Sequence, residues 1–209
     1  MFCCVKGVVT FSCFVFAWFV FDDGSIGCSR AQAQTVHVNS IVKLVTQRGT
    51  GTGFVVATSD KRIEIWTAAH VTSGVSTSAT VVWPNGKRTV AIVARHHSKG
   101  GKDIAKIIGA RPSFPITAVP VYVGVLGDEQ WQGHAGYGDN GRQTIRQVHK
   151  HSSSIEGRMT YTPWAIPGDS GGPLFNRDGE VIGVVVETTL EGRESRLLAE
   201  PIDDWVNLK

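Results

Sequence analysis

From Val36 onward the chain alternates short β-branched or aromatic runs with glycine, asparagine and proline turns, a rhythm that favours strands over helices. A first group of runs covers Ile41–Val45, Gly53–Ala57, Arg62–Trp66, Ala79–Trp83 and Thr89–Ala94. A second covers Ala118–Val123, Glu129–Gly136, Thr144–Val148, Arg158–Tyr161, Pro173–Phe175, Val181–Glu187 and Arg196–Ala199. Two groups of evenly spaced strands predict an all-β protein built as two barrels or sandwiches. Trp83-Pro84-Asn85-Gly86-Lys87 reads as the turn between two of them, since Pro and Asn-Gly supply turn dihedrals at little steric cost. The crossover between the groups is expected at Arg111-Pro112-Ser113-Phe114-Pro115. One short helix is expected over residues 201–208, where Pro201 can open a first turn and Ile202, Trp205 and Leu208 recur at intervals of three.

The charge pattern narrows the function classes. The formal charge of +3 is spread along 209 residues, and the densest basic steps are pairs such as Lys61-Arg62 and Lys87-Arg88, so a nucleic-acid surface is not expected. Gly49-Thr50-Gly51-Thr52-Gly53 has no Lys-Ser/Thr at phosphate-loop spacing and reads as a loop leading into a strand. His96-His97 and the pair His149 and His151 match no metal-ligand spacing. Neither a metal nor an organic cofactor is expected.

The first 33 residues differ in character. Lys6 precedes an apolar run from Val8 to Phe21, and Ala31-Gln32-Ala33 follows as a small-residue cleavage pattern, the layout of a secretory signal peptide. The 14-residue run is short for a membrane span, which needs roughly 20 apolar residues, so no stable insertion is expected after cleavage. Ser25-Ile26-Gly27-Cys28 ends like a lipoprotein signal, but Asp22 and Asp23 interrupt the approach. Cys3, Cys4, Cys13 and Cys28 are the four cysteines of the chain, and all lie in this leader. A mature domain over residues 34–209 would have no disulfide, which for an exported protein points to a bacterial periplasmic or secreted setting.

The chemistry is concentrated in three stretches. In Gly168-Asp169-Ser170-Gly171-Gly172-Pro173-Leu174, glycines on both sides of a serine permit a sharp turn that exposes the hydroxyl and aims backbone N–H groups at a developing oxyanion. Thr67-Ala68-Ala69-His70 follows an apolar strand, and its alanines leave room for an imidazole. Asp103-Ile104-Ala105 comes 33 residues later and offers the carboxylate that a general base needs to hold its tautomer. Each stretch alone also fits a structural role.

Together the three resemble the chymotrypsin-like (trypsin-like) serine proteases, in which histidine, aspartate and serine follow in this order. The likeness extends from about Val36 to Leu208 and includes Gly51-Thr52-Gly53-Phe54, similar to the glycine-rich strand before the histidine in bacterial members. It implies two perpendicular six-stranded β-barrels with the active site between them, the first over about residues 36–110 and the second over about 116–200. It also implies His70 as general base, Asp103 as its orienting carboxylate, Ser170 as nucleophile, and the N–H groups of Gly168 and Ser170 as the oxyanion hole. Protein or peptide substrates follow. The absence of cysteine from the domain resembles the branch of glutamyl endopeptidases and high-temperature-requirement proteases. Lys106 departs from the family pattern, in which an apolar residue is usual, and predicts a more exposed strand there.

The resemblance further implies a specificity pocket with Trp164 at its base and Val186, Glu187 and Thr188 along one wall. Arg196 at the back would select Glu or Asp before the cut; the competing expectation is a solvent-facing arginine and a small apolar pocket. Two rival functions remain at this stage, a catalytically silent protease fold used for binding and a scaffold anchored by its leader.

Overall fold

The computed structural model describes residues 37–47, 49–73, 78–97, 102–124, 131–191 and 194–202. The expected leader and the expected helix beyond Ile202 lie outside that range. Pro201, read above as a helix opener, is instead the last residue of a strand, opposite Gly183.

Strands β1 (Ile41–Thr46), β2 (Gly49–Thr58), β3 (Arg62–Thr67), β4 (Ser78–Val82), β5 (Arg88–His97) and β6 (Ile104–Ala110) close in the order β1-β2-β3-β6-β5-β4. A second set, β7 (Trp131–Asp139), β8 (Arg142–Ile155), β9 (Arg158–Thr162), β10 (Pro173–Phe175), β11 (Val181–Glu191) and β12 (Glu194–Pro201), closes as β10-β11-β12-β9-β8-β7. Among the described residues, closure pairs the two ends of each order with one another, β1 with β4 and β10 with β7. The fold is therefore all-β, with two closed six-stranded barrels. The turn expected at Trp83–Lys87 joins β4 to β5: the Trp83 N–H donates to the Lys87 carbonyl at 2.9 Å, and Gly86 takes a φ of 79° that favours glycine.

Two expected elements differ. Residues 104–110, absent from the two groups of runs but expected as an exposed strand around Lys106, form β6, with Ile104, Ala105 and Ile107 buried and Lys106 turned outward to meet Glu64 at 2.7 Å. The outward lysine breaks the run of apolar residues but fits a strand whose other face fills the barrel. Ala118–Val123, expected as a strand, is a strap. Only Val121 forms an isolated parallel bridge, to Val181, while the Val119 N–H donates to Val55 at 2.8 Å in the first barrel. Pro120 has no N–H to continue a ladder.

Alternation fills the interiors. Leu44, Ile63, Ile65, Val81, Trp83 and Ile107 are buried in one cluster, and Val148, Tyr161, Leu174, Ile182, Val185 and Leu197 in another. A third cluster joins the barrels: Ile41, Phe54, Trp66 and Ile104 of the first pack with Tyr137, Phe175, Val181 and Val184 of the second. Phe54 and Trp66 meet edge to face at 6.3 Å. This seam holds in register the strand ends that carry the polar stretches.

Candidate active site

His70 lies in a single helical turn, α1 (Ala69–Thr72), that follows β3 directly. Asp103 stands one residue before β6, the strand paired with β3, so the β3–β6 register brings the two together. The Ala69 N–H donates to the Asp103 carbonyl at 3.2 Å, and the His70 N–H donates to Asp103 Oδ1 at 2.8 Å. His70 Nδ1 lies 2.5 Å from Asp103 Oδ2. Burial pushes the Asp103 carboxyl up, but hydrogen bonds and charge from His70, with a smaller pull from Arg158, hold it below the ordinary carboxylate value. An ionised carboxylate at Nδ1 leaves Nε2 free to accept a proton.

Ser170 sits in the turn before β10. Gly168 and Gly171 take φ values of 104° and 87°, a region open to glycine, and the Gly171 N–H donates to Val185 at 2.6 Å. The turn is clamped from the first barrel by Thr52 of β2. Its N–H donates to the Ser170 carbonyl at 2.8 Å, and its hydroxyl donates to the Gly168 carbonyl at 2.7 Å. The Ser170 hydroxyl itself donates to the Val186 carbonyl at 2.9 Å.

Beside the serine, Asp169 is fully buried and accepts the N–H groups of Ile166 and Gly138, both at 3.0 Å. Its Oδ2 also pairs with Arg146 and faces His134 Nε2 at 3.3 Å in poor alignment for a hydrogen bond. Burial raises this carboxyl, but the His134 contact, the Ile166 N–H and the Arg146 charge together hold it below its ordinary value. The carboxylate thereby ties the 166–169 segment to β7 and β8. Sequence reasoning missed Thr52 as a clamp and Asp169 as an anchor, although both lie inside stretches it singled out.

Residues 51–184 match the trypsin-like peptidase domain as a family. The chain belongs to the trypsin-like peptidases. Its fold is similar to that of the Rv3671c protease of M. tuberculosis in its inactive form, at 23% identity over 82% of this chain and 88% of that one, with a TM-score of 0.65. The active form of that protease gives 22% identity over 82% and 81%, also at 0.65. The serine endoprotease of Yersinia pestis gives 20% identity and a TM-score of 0.68, over 82% of this chain and 62% of that one. No curated protein matches significantly.

In this trypsin-like peptidase, His70, Asp103 and Ser170 line one cleft of about 510 Å³. Trp164, Ala165, Ile166, Pro167, Val186, Glu187 and Thr188 complete its walls. Trp164, expected at the base of a pocket, is 52% exposed, as a rim residue would be. Thr188 Oγ1 donates to the Ala165 carbonyl, joining the two walls. Glu187 pairs with Arg158 Nη1 at 2.7 Å. Arg196, expected at the back of the pocket, is not among the lining residues; it stands opposite Thr189 in the β11–β12 pair. Among the described residues no three His, Cys, Asp or Glu side chains cluster to hold a metal, and no helix is long and apolar enough to cross a membrane.

Proposed function

We propose that this peptidase is a serine endopeptidase working through Ser170, His70 and Asp103. The observation that carries the reading is the 2.5 Å contact of His70 Nδ1 with an ionised Asp103 in the cleft that Ser170 also lines. The Ser170 hydroxyl rests on the Val186 carbonyl, and rotation about one side-chain bond, as substrate enters, would turn it to His70 Nε2. The Oγ proton passes to Nε2 as Oγ bonds to the scissile carbonyl carbon. The N–H groups of Gly168 and Ser170 would stabilise the oxyanion, and neither has an acceptor among the described residues. His70 returns the proton to the leaving amine, and water then releases the acyl group by the same route.

For the residue before the cut we propose a small apolar side chain. Ala165, Ile166 and Val186 give the cleft apolar walls, the Thr188 hydroxyl is engaged by the Ala165 carbonyl, and Arg196 does not line the cleft to meet an acidic group. We propose also that the leader directs export and is removed near Ala33, which N-terminal sequencing of the mature protein tests. The chemistry is tested by peptide hydrolysis: Ser170→Ala should reduce kcat by on the order of 10⁶-fold with the fold kept. Wild-type turnover in that variant would overturn the assignment.

A further inference from the structure

Asp103 is held at two levels. Its carboxylate is engaged by His70, while its backbone is held by the Ala69 N–H and by Glu200, whose Oε1 accepts the Asp103 N–H at 3.3 Å. Glu200 lies on β12 with only 4% exposure, and burying such a group is costly unless a charged partner accompanies it. That partner is Arg158 on β9, whose Nε donates to the same Oε1 at 2.8 Å. The other end of Arg158 reaches Glu187 on the cleft wall. The second barrel thus reaches across to the backbone of a residue that precedes the first barrel's β6. Asp103 lies outside that ladder, so on its N-terminal side nothing in β6 fixes its position. Lys102 adds a weaker tie, from Nζ to the Pro201 carbonyl at 3.5 Å.

We propose that Arg158 and Glu200 are positioning residues for Asp103: their ion pair fixes the oxygen that receives the Asp103 N–H and so sets the carboxylate against His70. This rests on the serine endopeptidase reading. The Asp103 carboxylate meets the first barrel, through the His70 N–H and Nδ1, whereas the Asp103 N–H is met by the second barrel through Glu200. Glu200 thus complements the Ala69 N–H, which holds the Asp103 carbonyl, by holding the N–H of the same residue. A displaced Glu200 could not do so, because one oxygen, Oε1, serves both Arg158 and Asp103.

The test uses the full chain. In Arg158→Met/Glu200→Met, apolar side chains replace the buried pair, an exchange that commonly leaves stability intact, so Tm is expected to stay near wild type. The kcat is expected to fall ~10- to 100-fold with KM little changed, as misplacement of a positioned group would do. The proton on His70 Nδ1, assigned by its loss in His70→Ala, is expected to exchange with water faster in the double variant. Wild-type kcat together with an unchanged His70 proton would overturn the proposal and leave the pair a merely structural one. Should the double variant not fold, Arg158→Met is compared with Arg158→Lys: recovery of kcat in the lysine variant supports the role, and equal kcat values in the two overturn it. A wild-type chain that neither hydrolyses peptides nor reacts at Ser170 would overturn the peptidase reading alone. The His70 proton needs no turnover and would still decide whether Glu200 holds Asp103.

Discussion

Thr52 Oγ1 donates a 2.7 Å hydrogen bond to the Gly168 carbonyl, 116 residues further along the chain. The same oxygen accepts the Tyr137 N–H at 3.0 Å, and the Thr52 backbone binds the carbonyl of Ser170. One fully buried threonine of the first barrel thereby sets the geometry of the turn that carries the serine of the second.

Thr52→Val keeps the shape and removes the hydroxyl, leaving the Tyr137 N–H and the Gly168 carbonyl short of a partner. A loss of about 1–3 kcal/mol in unfolding free energy is expected. The kcat should fall ~10-fold as Gly168 drifts. Thr52→Ser should recover most of both. Denaturant unfolding run beside peptide kinetics checks this, and a valine variant equal to wild type on both counts removes the clamp from the account.

Gly171 faces a harder constraint. A Cβ there would overlap the Thr52 carbonyl and the Thr67 hydroxyl, at a φ of 87° that already disfavours other residues by about 1–2 kcal/mol. Gly171→Ala is expected to lose activity and to lower Tm sharply, as a thermal scan would show. An alanine variant with wild-type Tm would mean that the turn is looser than described.

Asp103 and Asp169 both sit below the ordinary carboxylate value in the folded chain. Their unfolded counterparts therefore bind protons first as pH falls. The stability these groups contribute is fully present above the unfolded value of about 4 and is lost as pH drops through the folded values. Unfolding free energy measured from about pH 7 to about pH 3 should be flat and then decline, with a shallower decline in Asp169→Asn. A rise in stability on acidification would contradict the sign.

Much of this was legible before any coordinates. The serine, histidine and aspartate stretches were singled out by residue type and order, and most strands by β-branched runs between turns. What escaped notice depends on barrel closure. Strand β6 was read only as an exposed strand around Lys106, because the lysine interrupts its apolar pattern; the paired strand β3 shows that Glu64 awaits that lysine while the other face is buried. Ala118–Val123 has strand composition, but Pro120 and its position between the barrels make it a strap. Arg158 and Glu200 are 42 residues apart and carry no local signal, since their pairing follows from the β9–β12 register. The placement of Arg196 depended on a register across the 189–195 hairpin that local sequence does not determine.

The cleft makes a prediction about substrates. Among matched peptides carrying Ala, Val, Leu, Glu, Asp, Lys or Arg before the cut, Ala and Val are expected to give the highest kcat/KM, and Arg196→Ala is expected to leave the ranking unchanged. Preference for Glu that vanishes in Arg196→Ala would restore an acidic pocket. Efficient cleavage after Lys or Arg would show that the cleft admits a long cationic side chain and would overturn the small apolar preference.

The most direct measurement is the intact mass of the full chain after treatment with a fluorophosphonate, followed by peptide mapping. Reaction requires a serine oxygen that His70 can deprotonate beside donors for the phosphoryl oxygen. The account predicts one adduct, on Ser170, absent in Ser170→Ala and strongly slowed in His70→Ala. No adduct on a folded wild-type chain, or an adduct at another residue with Ser170 untouched, would contradict it.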